Sequence, residues 1–222
     1  MVDYLNYGKQ VQSSLKEPKN EPKIQSPMPC GWLEYKLDTK EMDYLWRCVD
    51  KKSEHKLNYR LAGNIDSSFA LEDKDDWFFN KTIIPLIDFY EQKVGNLRNR
   101  VPIYGKECPY GMKEWWVNYQ KQYEFNPSHS HKGVYSFVVW LKIPYEYEDQ
   151  NKDKESNSNR RGIFSFQYTD MLGDIHACDY KLGKKYEGYM LFFPSKLNHE
   201  VYPFYNCEED RISISGNIMV KV

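Results

Sequence analysis

The sequence has almost no net charge, few histidines, and no cysteine spacing that would hold zinc or build a disulfide framework. Thirty-one Lys and Arg face 32 Asp and Glu, for a formal charge of −1. Composition therefore supplies no pull toward nucleic acid or an anionic membrane. The five cysteines, Cys30, Cys48, Cys108, Cys178 and Cys207, are odd in number, and none is paired as C-x-x-C. They are expected to be free thiols of a reducing compartment. No run of about 18 apolar residues occurs, which excludes a membrane-spanning helix. The N-terminal MVDYLNYGKQVQSSLKEPKNEPKIQ has no apolar centre of the kind a signal peptide needs. The expectation is a cytoplasmic protein. What the chain does have is aromatic residues, 19 Tyr, 11 Phe and 6 Trp, which suit the pleated surfaces of a sheet-rich fold. Its 222 residues are enough for one sizeable core.

Residues 1–30 are polar and contain several prolines, and are read as an arm rather than a folded unit. The single domain is expected over 31–222. Residues 32–37 have strand character. Asp38 followed by Glu41 forms a capping-box signature, and Met42, Leu45, Trp46 and Val49 share one face of the helix it opens. A second helix is expected over about 76–97, with Ile83, Leu86, Ile87, Tyr90, Val94 and Leu97 as its apolar stripe. Pro85 implies a kink or a late start near Thr82.

Beyond residue 99 the period becomes two. Strands are predicted over 114–123, 134–143, 163–169, 189–193, 199–204 and 211–222. In Val134–Ile143 both alternating faces are largely apolar, which places that strand between two layers. The stretch 148–161 is nearly all charged residues, Asn and Ser, and is expected to be a mobile insertion loop. Two helices followed by a run of strands predict a mainly β fold with helices packed outside a sandwich or barrel.

The candidate site comes from NPSHSHKG at 126–133. In extended chain, residues i and i+2 face the same way about 6.6 Å apart, so His129 and His131 can converge on one metal ion. His199, which follows the FPSKLN turn and opens a strand, is the candidate third ligand. Twelve residues later Arg211 begins RISIS. There Arg211 and Ser213 share one face and Ile212 and Ile214 the other. If the Ile face belongs to a core, Arg211 points into a closed sheet, where a lone charge is costly unless an anion meets it. A ligand carboxylate matches the guanidinium fork. His176 and Cys178 are read as part of a polar loop.

The order of these pieces resembles the iron(II)/2-oxoglutarate-dependent oxygenase superfamily, and within it oxygenases common in bacteriophage and marine bacteria. The resemblance rests on WVNYQ at 116–120, HSHKGVYSFVVWLKIP at 129–144, LFFPSKLNHEV at 191–201 and DRISISGNI at 210–218. It implies a double-stranded β-helix, a jelly-roll or cupin-like barrel. It further implies Fe(II) as metal, 2-oxoglutarate and O₂ as co-substrates, and hydroxylation of a substrate with release of succinate and CO₂. His129, His131 and His199 would be the metal ligands. Arg211 would take the distal carboxylate of 2-oxoglutarate with Ser213 beside it, and Asn118 or Tyr119 would add a hydrogen bond.

One departure matters. The superfamily usually carries H-x-D or H-x-E, and here His131 holds the carboxylate position. Three neutral imidazoles would leave two positive charges on Fe(II) where a carboxylate leaves one. An alternative set keeps one histidine of the pair, His199 and a carboxylate from Asp170, Asp174 or Asp179. Two other functions stay open at this point: a three-histidine dioxygenase that uses no 2-oxoglutarate, and a catalytically silent cupin-like binding module. The primary substrate (protein side chain, nucleobase or small metabolite) has no signature in the sequence. The location follows as cytoplasmic, that of the host if the chain is phage-encoded.

Overall fold

A computed structural model describes residues 30–54, 56–58, 62–97, 108–152 and 157–221. Of the arm expected at 1–30, residues 1–29 lie outside them.

The chain opens with β1 (Leu33–Lys36) and α1 (Thr39–Asp50). The predicted capping box is present. Asp38 accepts the Glu41 backbone N–H at 2.8 Å, and the Glu41 carboxylate accepts the Asp38 N–H at 2.8 Å. Two of the helix's orphan N-terminal donors are thereby satisfied. Strand β2 (Ser68–Ala70) follows.

The second helix differs from its expectation in how it starts. Asp73, just ahead of the expected start, accepts from the backbone N–H of Phe78 and Phe79 at 3.0 and 2.8 Å. A π-turn over Phe79–Ile83 then leads into α2 (Ile84–Lys93), with the Ile84 N–H bonded to the Phe79 carbonyl. The physical reason is Pro85. It has no N–H to give to the carbonyl four residues back, and its ring would crowd that carbonyl. The wider turn takes up the mismatch before the regular helix begins.

The remaining elements are β3 (Tyr110–Gln120), β4 (Asn126–His129), β5 (Tyr135–Lys142), the short α3 (Tyr147–Gln150), β6 (Ile163–Thr169), β7 (Ile175–Lys181), β8 (Tyr189–Pro194), β9 (Asn198–Val201) and β10 (Arg211–Val220). They form two sheets, one in the order β1-β8-β5-β10-β3-β2 and the other in the order β4-β9-β6-β7. All pairings are antiparallel. The architecture is the expected mainly β fold, with one correction. The sheets lie face to face and are not closed into a barrel, since no ladder joins them among the described residues.

Three layers result. α1, the π-turn and α2 bury Leu45, Val49, Ile83, Leu86, Ile87 and Tyr90 against one face of the larger sheet, on Trp115, Val117, Phe137, Val139, Ile214 and Ile218. The opposite face presents Val138, Trp140, Leu191 and Phe193 to Phe164, Phe166 and Tyr180 of the smaller sheet. β5 belongs to both cores: its residues from Tyr135 to Leu141 are all buried. Each such large apolar side chain contributes about 1.5–3 kcal/mol by leaving water, so β5 and its neighbours form the rigid centre that carries the site.

Two elements depart from the sequence reading. Residues 126–129, which are not among the predicted strands, form strand β4 at the sheet's edge, where Pro127 is tolerated because no central ladder needs its missing N–H. Residues 175–181, including His176 and Cys178, form edge strand β7 and not a polar loop. It is exposed along most of its length, so it lacks the apolar alternation that marks a half-buried strand. Of the polar stretch 148–161, residues 153–156 fall outside the described residues. Its two ends are tied down. Gln150 accepts the Tyr205 N–H at 2.7 Å, and Arg160 pairs with Glu200 at 2.8 Å and Asp179 at 3.3 Å.

Candidate metal centre and anion pocket

β4 and β9 are neighbours in the smaller sheet, and their register sets His129 directly opposite His199. The chain then turns through Ser130, His131, Lys132 and Gly133 into β5. Gly133 has φ +122°, and a Cβ there would lie 2.8 Å from the Ile218 carbonyl oxygen, so only glycine fits this close turn. The turn is fastened by His131 N–H to the Ser195 carbonyl at 2.7 Å, Val134 N–H to the Ile218 carbonyl at 2.9 Å, and Ser195 N–H to the Val134 carbonyl at 3.0 Å.

These constraints bring three imidazoles together. One ring nitrogen from each of His129, His131 and His199 lies within 4.8 Å of the others. Ring centroids are 4.3 Å apart for His129–His199, 4.9 Å for His131–His199 and 5.0 Å for His129–His131. His131 Nε2 stands 3.1 Å from His199 Nε2. Two nitrogens each about 2.1 Å from one ion at a right angle would be about 3 Å apart, so the spacing fits a shared divalent cation.

The other nitrogens support this. His129 Nδ1 is 2.7 Å from the Pro127 carbonyl and His199 Nδ1 is 3.0 Å from the Leu197 carbonyl. A carbonyl only accepts, so each Nδ1 carries the proton and each Nε2 is left bare to ligate. The donor set therefore fits a first-row transition metal with open positions.

All three histidines are held neutral. Burial lowers the pKa of each, to about 4 for His131 and about 3 for His199, with mutual repulsion of the imidazoles adding to the effect in those two. Free imidazole titrates near 6.5, so the unfolded chain takes up protons that the metal-free fold refuses. The sign follows: these histidines cost no stability above about pH 6.5, and stability falls as pH drops toward 4, by about 1.4 kcal/mol per pH unit for each of His131 and His199. Urea midpoints of metal-stripped protein between pH 7 and 4.5 check this. Flat midpoints across that range would contradict it.

The same cavity, about 630 Å³, is lined by these histidines and by Arg211. On β10 the predicted alternation holds: Arg211, Ser213, Ser215 and Asn217 line the cavity, while Ile214 and Ile218 join the helix-side core. Arg211 is 1% exposed. Its guanidinium donates to the Tyr145 hydroxyl and to Gln120 Oε1. Among the described residues it forms no salt bridge. A fully buried cation held by neutral acceptors alone is costly, and a nearby anion would relieve that cost.

Asn118 also faces the cavity. Its Oδ1 accepts from the Ser68 hydroxyl at 2.7 Å, and it pairs across the ladder with Ser213. Tyr119 does not face it. It points to the helix-side core, edge-on to Phe69, because neighbouring residues of a strand face opposite ways. That alternation also marks Trp116 and Gln120 as cavity residues, which the sequence reading left out. Tyr145, the other Arg211 partner, has no such periodic signal.

The alternative ligands stand elsewhere. Asp170 bonds His176 Nε2 at 3.0 Å and caps its own turn through the N–H groups of Leu172 and Asp174. Asp179 accepts from Ser165 and pairs with Arg160. Among the described residues the only His, Cys, Asp or Glu cluster able to hold a metal is the three histidines.

Residues 114–217 match a family described as "Putative 2OG-Fe(II) oxygenase". The fold is similar to a Pseudomonas putida prolyl-4-hydroxylase, with a TM-score of 0.51 and 14% identity, over 87% of this chain and 94% of that one. It is also similar to a prolyl hydroxylase from Trichoplax adhaerens solved with a hypoxia inducible factor peptide fragment. There the TM-score is 0.51 and the identity 14%, over 85% of this chain and 82% of the other. At that identity the likeness concerns the fold. No curated protein matches the chain significantly.

Proposed function

We propose that this chain is an iron(II)/2-oxoglutarate oxygenase that hydroxylates a substrate with conversion of 2-oxoglutarate to succinate and CO₂, using His129, His131 and His199 as its metal ligands. One observation carries the reading: a buried Arg211, with no carboxylate partner among the described residues, lines the same cavity as three converging neutral imidazoles. Neutral ligands leave both charges of Fe(II) uncompensated, which favours a dianionic partner. When bound, Fe(II) activates O₂ for oxidation of a C–H bond at the expense of the 2-oxo acid.

The chain's own residues supply binding and exclusion of water. Arg211 receives the distal carboxylate, with Tyr145 and Gln120 aiming its guanidinium so that little freedom is lost on binding. Ser213 and Asn118, opposite one another on β10 and β3, add hydrogen-bonding groups beside it. Phe164, Phe193 and Trp140 form the apolar wall between the sheets and keep water from the reacting centre. The carbonyls of Pro127 and Leu197 hold His129 and His199 in the ligating tautomer.

The direct test is anaerobic addition of Fe(II) and 2-oxoglutarate, followed by oxygen. A visible charge-transfer absorption that needs both components, and succinate formed on aeration, are expected. If neither appears with metal demonstrably bound, the chain does not use 2-oxoglutarate.

A further inference from the structure

Two of the three imidazoles are oriented through Nδ1 by a backbone carbonyl, and among the described residues the third is not. The hydrogen bond of the His131 ring is to His199 itself, with the Trp116 ring edge-on at 6.2 Å. Its position must therefore come from its backbone, which is fastened to Ser195. Ser195 is fully buried, and its Oγ lies 2.8 Å from Ser136 Oγ. The Ser136 hydroxyl in turn donates to Asn217 Oδ1 at 2.8 Å. Ser136 is the one hydroxyl-bearing residue with no aromatic ring in the buried run Tyr135–Leu141, and Asn217 is its partner across the β5–β10 ladder. Three polar side chains in such surroundings satisfy one another, and removing the middle one orphans both ends.

We infer that Ser195, Ser136 and Asn217 form a relay that positions His131 as a metal ligand by fixing the Ser195 backbone on which the histidine turn rests. The inference depends on the three-histidine reading of the centre. The relay ties that turn, which leaves the smaller sheet, to β5 and β10 of the larger one. Metal binding then depends on hydroxyl groups that never approach the ion. These are positioning residues, and their removal weakens the metal as loss of an outer hydrogen-bond partner does, by about 10–100-fold.

The test is Co(II) titration of the full-length protein, followed by absorption spectra and equilibrium dialysis. Ser136→Ala is expected to raise the Co(II) dissociation constant about tenfold or more and to alter the Co(II) spectrum. Thr82→Ala is the comparison: it removes a buried hydroxyl bonded to Glu41 at 2.6 Å in the helix layer. It should lower the unfolding temperature similarly and leave Co(II) affinity at the wild-type value. Should Ser136→Ala fold poorly, Ser195→Ala is measured in its place. Wild-type Co(II) affinity in both relay variants, or an equal loss in Thr82→Ala, overturns the relay alone. If wild-type protein takes up no Co(II), or if His131→Ala leaves uptake unchanged, the three-histidine centre fails and the relay falls with it.

Discussion

Replacement of His199 by alanine is expected to abolish binding of Fe(II) or Co(II) and, with it, all turnover of 2-oxoglutarate. His199 is the most buried of the three imidazoles. It sits on β9, between β4 and β6, and each of the other two rings approaches it within 5 Å. Without it two nitrogens remain, one at the end of β4 and one on the turn that follows, which is too few for a stable site of this type. The substitution also opens a gap among Phe164, Phe166 and Phe193, whose rings surround the imidazole, so some loss of stability accompanies it. His131→Ala separates the two effects, because His131 is less buried. It should lose metal with a smaller drop in the urea midpoint. Isothermal titration with Co(II) and urea unfolding of metal-free protein give both readings. Wild-type metal affinity in His199→Ala would place the metal elsewhere.

Arg211→Ala is expected to weaken 2-oxoglutarate by about 10²–10³-fold, in line with roughly 2–5 kcal/mol for truncating one partner of a buried charge pair, and to leave Co(II) affinity unchanged. Arg211→Lys should recover only part of the loss, since an ammonium cannot engage Tyr145, Gln120 and a carboxylate in the fixed geometry of a planar fork. Thermal unfolding distinguishes this from a purely structural role. Wild-type protein with metal should gain stability on addition of 2-oxoglutarate, and Arg211→Ala should show no such gain at the same concentration. An equal ligand-induced shift in both proteins would remove Arg211 from the co-substrate site.

Several features were legible in the sequence because they depend on near neighbours. Asp38 and Glu41 are three residues apart and cap α1 as their spacing predicts. The two apolar faces of Val134–Ile143 placed β5 between layers. The Ile face of RISIS was enough to turn Arg211 toward the cavity. The convergence of His129 and His131 followed from period two, but their meeting with His199 required the β4–β9 register.

What was not legible depends on contacts far apart in the chain or on strands at sheet edges. Gln120 and Tyr145 reach Arg211 across 91 and 66 residues, and nothing in their local sequence announces it. NPSH contains a proline and IHACDYK is mostly exposed, so neither carries the alternation that burial imposes on a central strand. Tyr119 was open to exclusion: once Asn118 faces inward, its neighbour faces out.

The two halves of the cavity belong to different sheets. Two of the imidazoles ride on β4 and β9, the guanidinium on β10, and no ladder crosses between those sheets among the described residues. A small molecule held at both ends therefore acts as a non-covalent cross-brace. Substrate chemistry and mechanical coupling of the layers would then have a common cause, and spent co-substrate, once released, would leave the sandwich looser than it was while loaded.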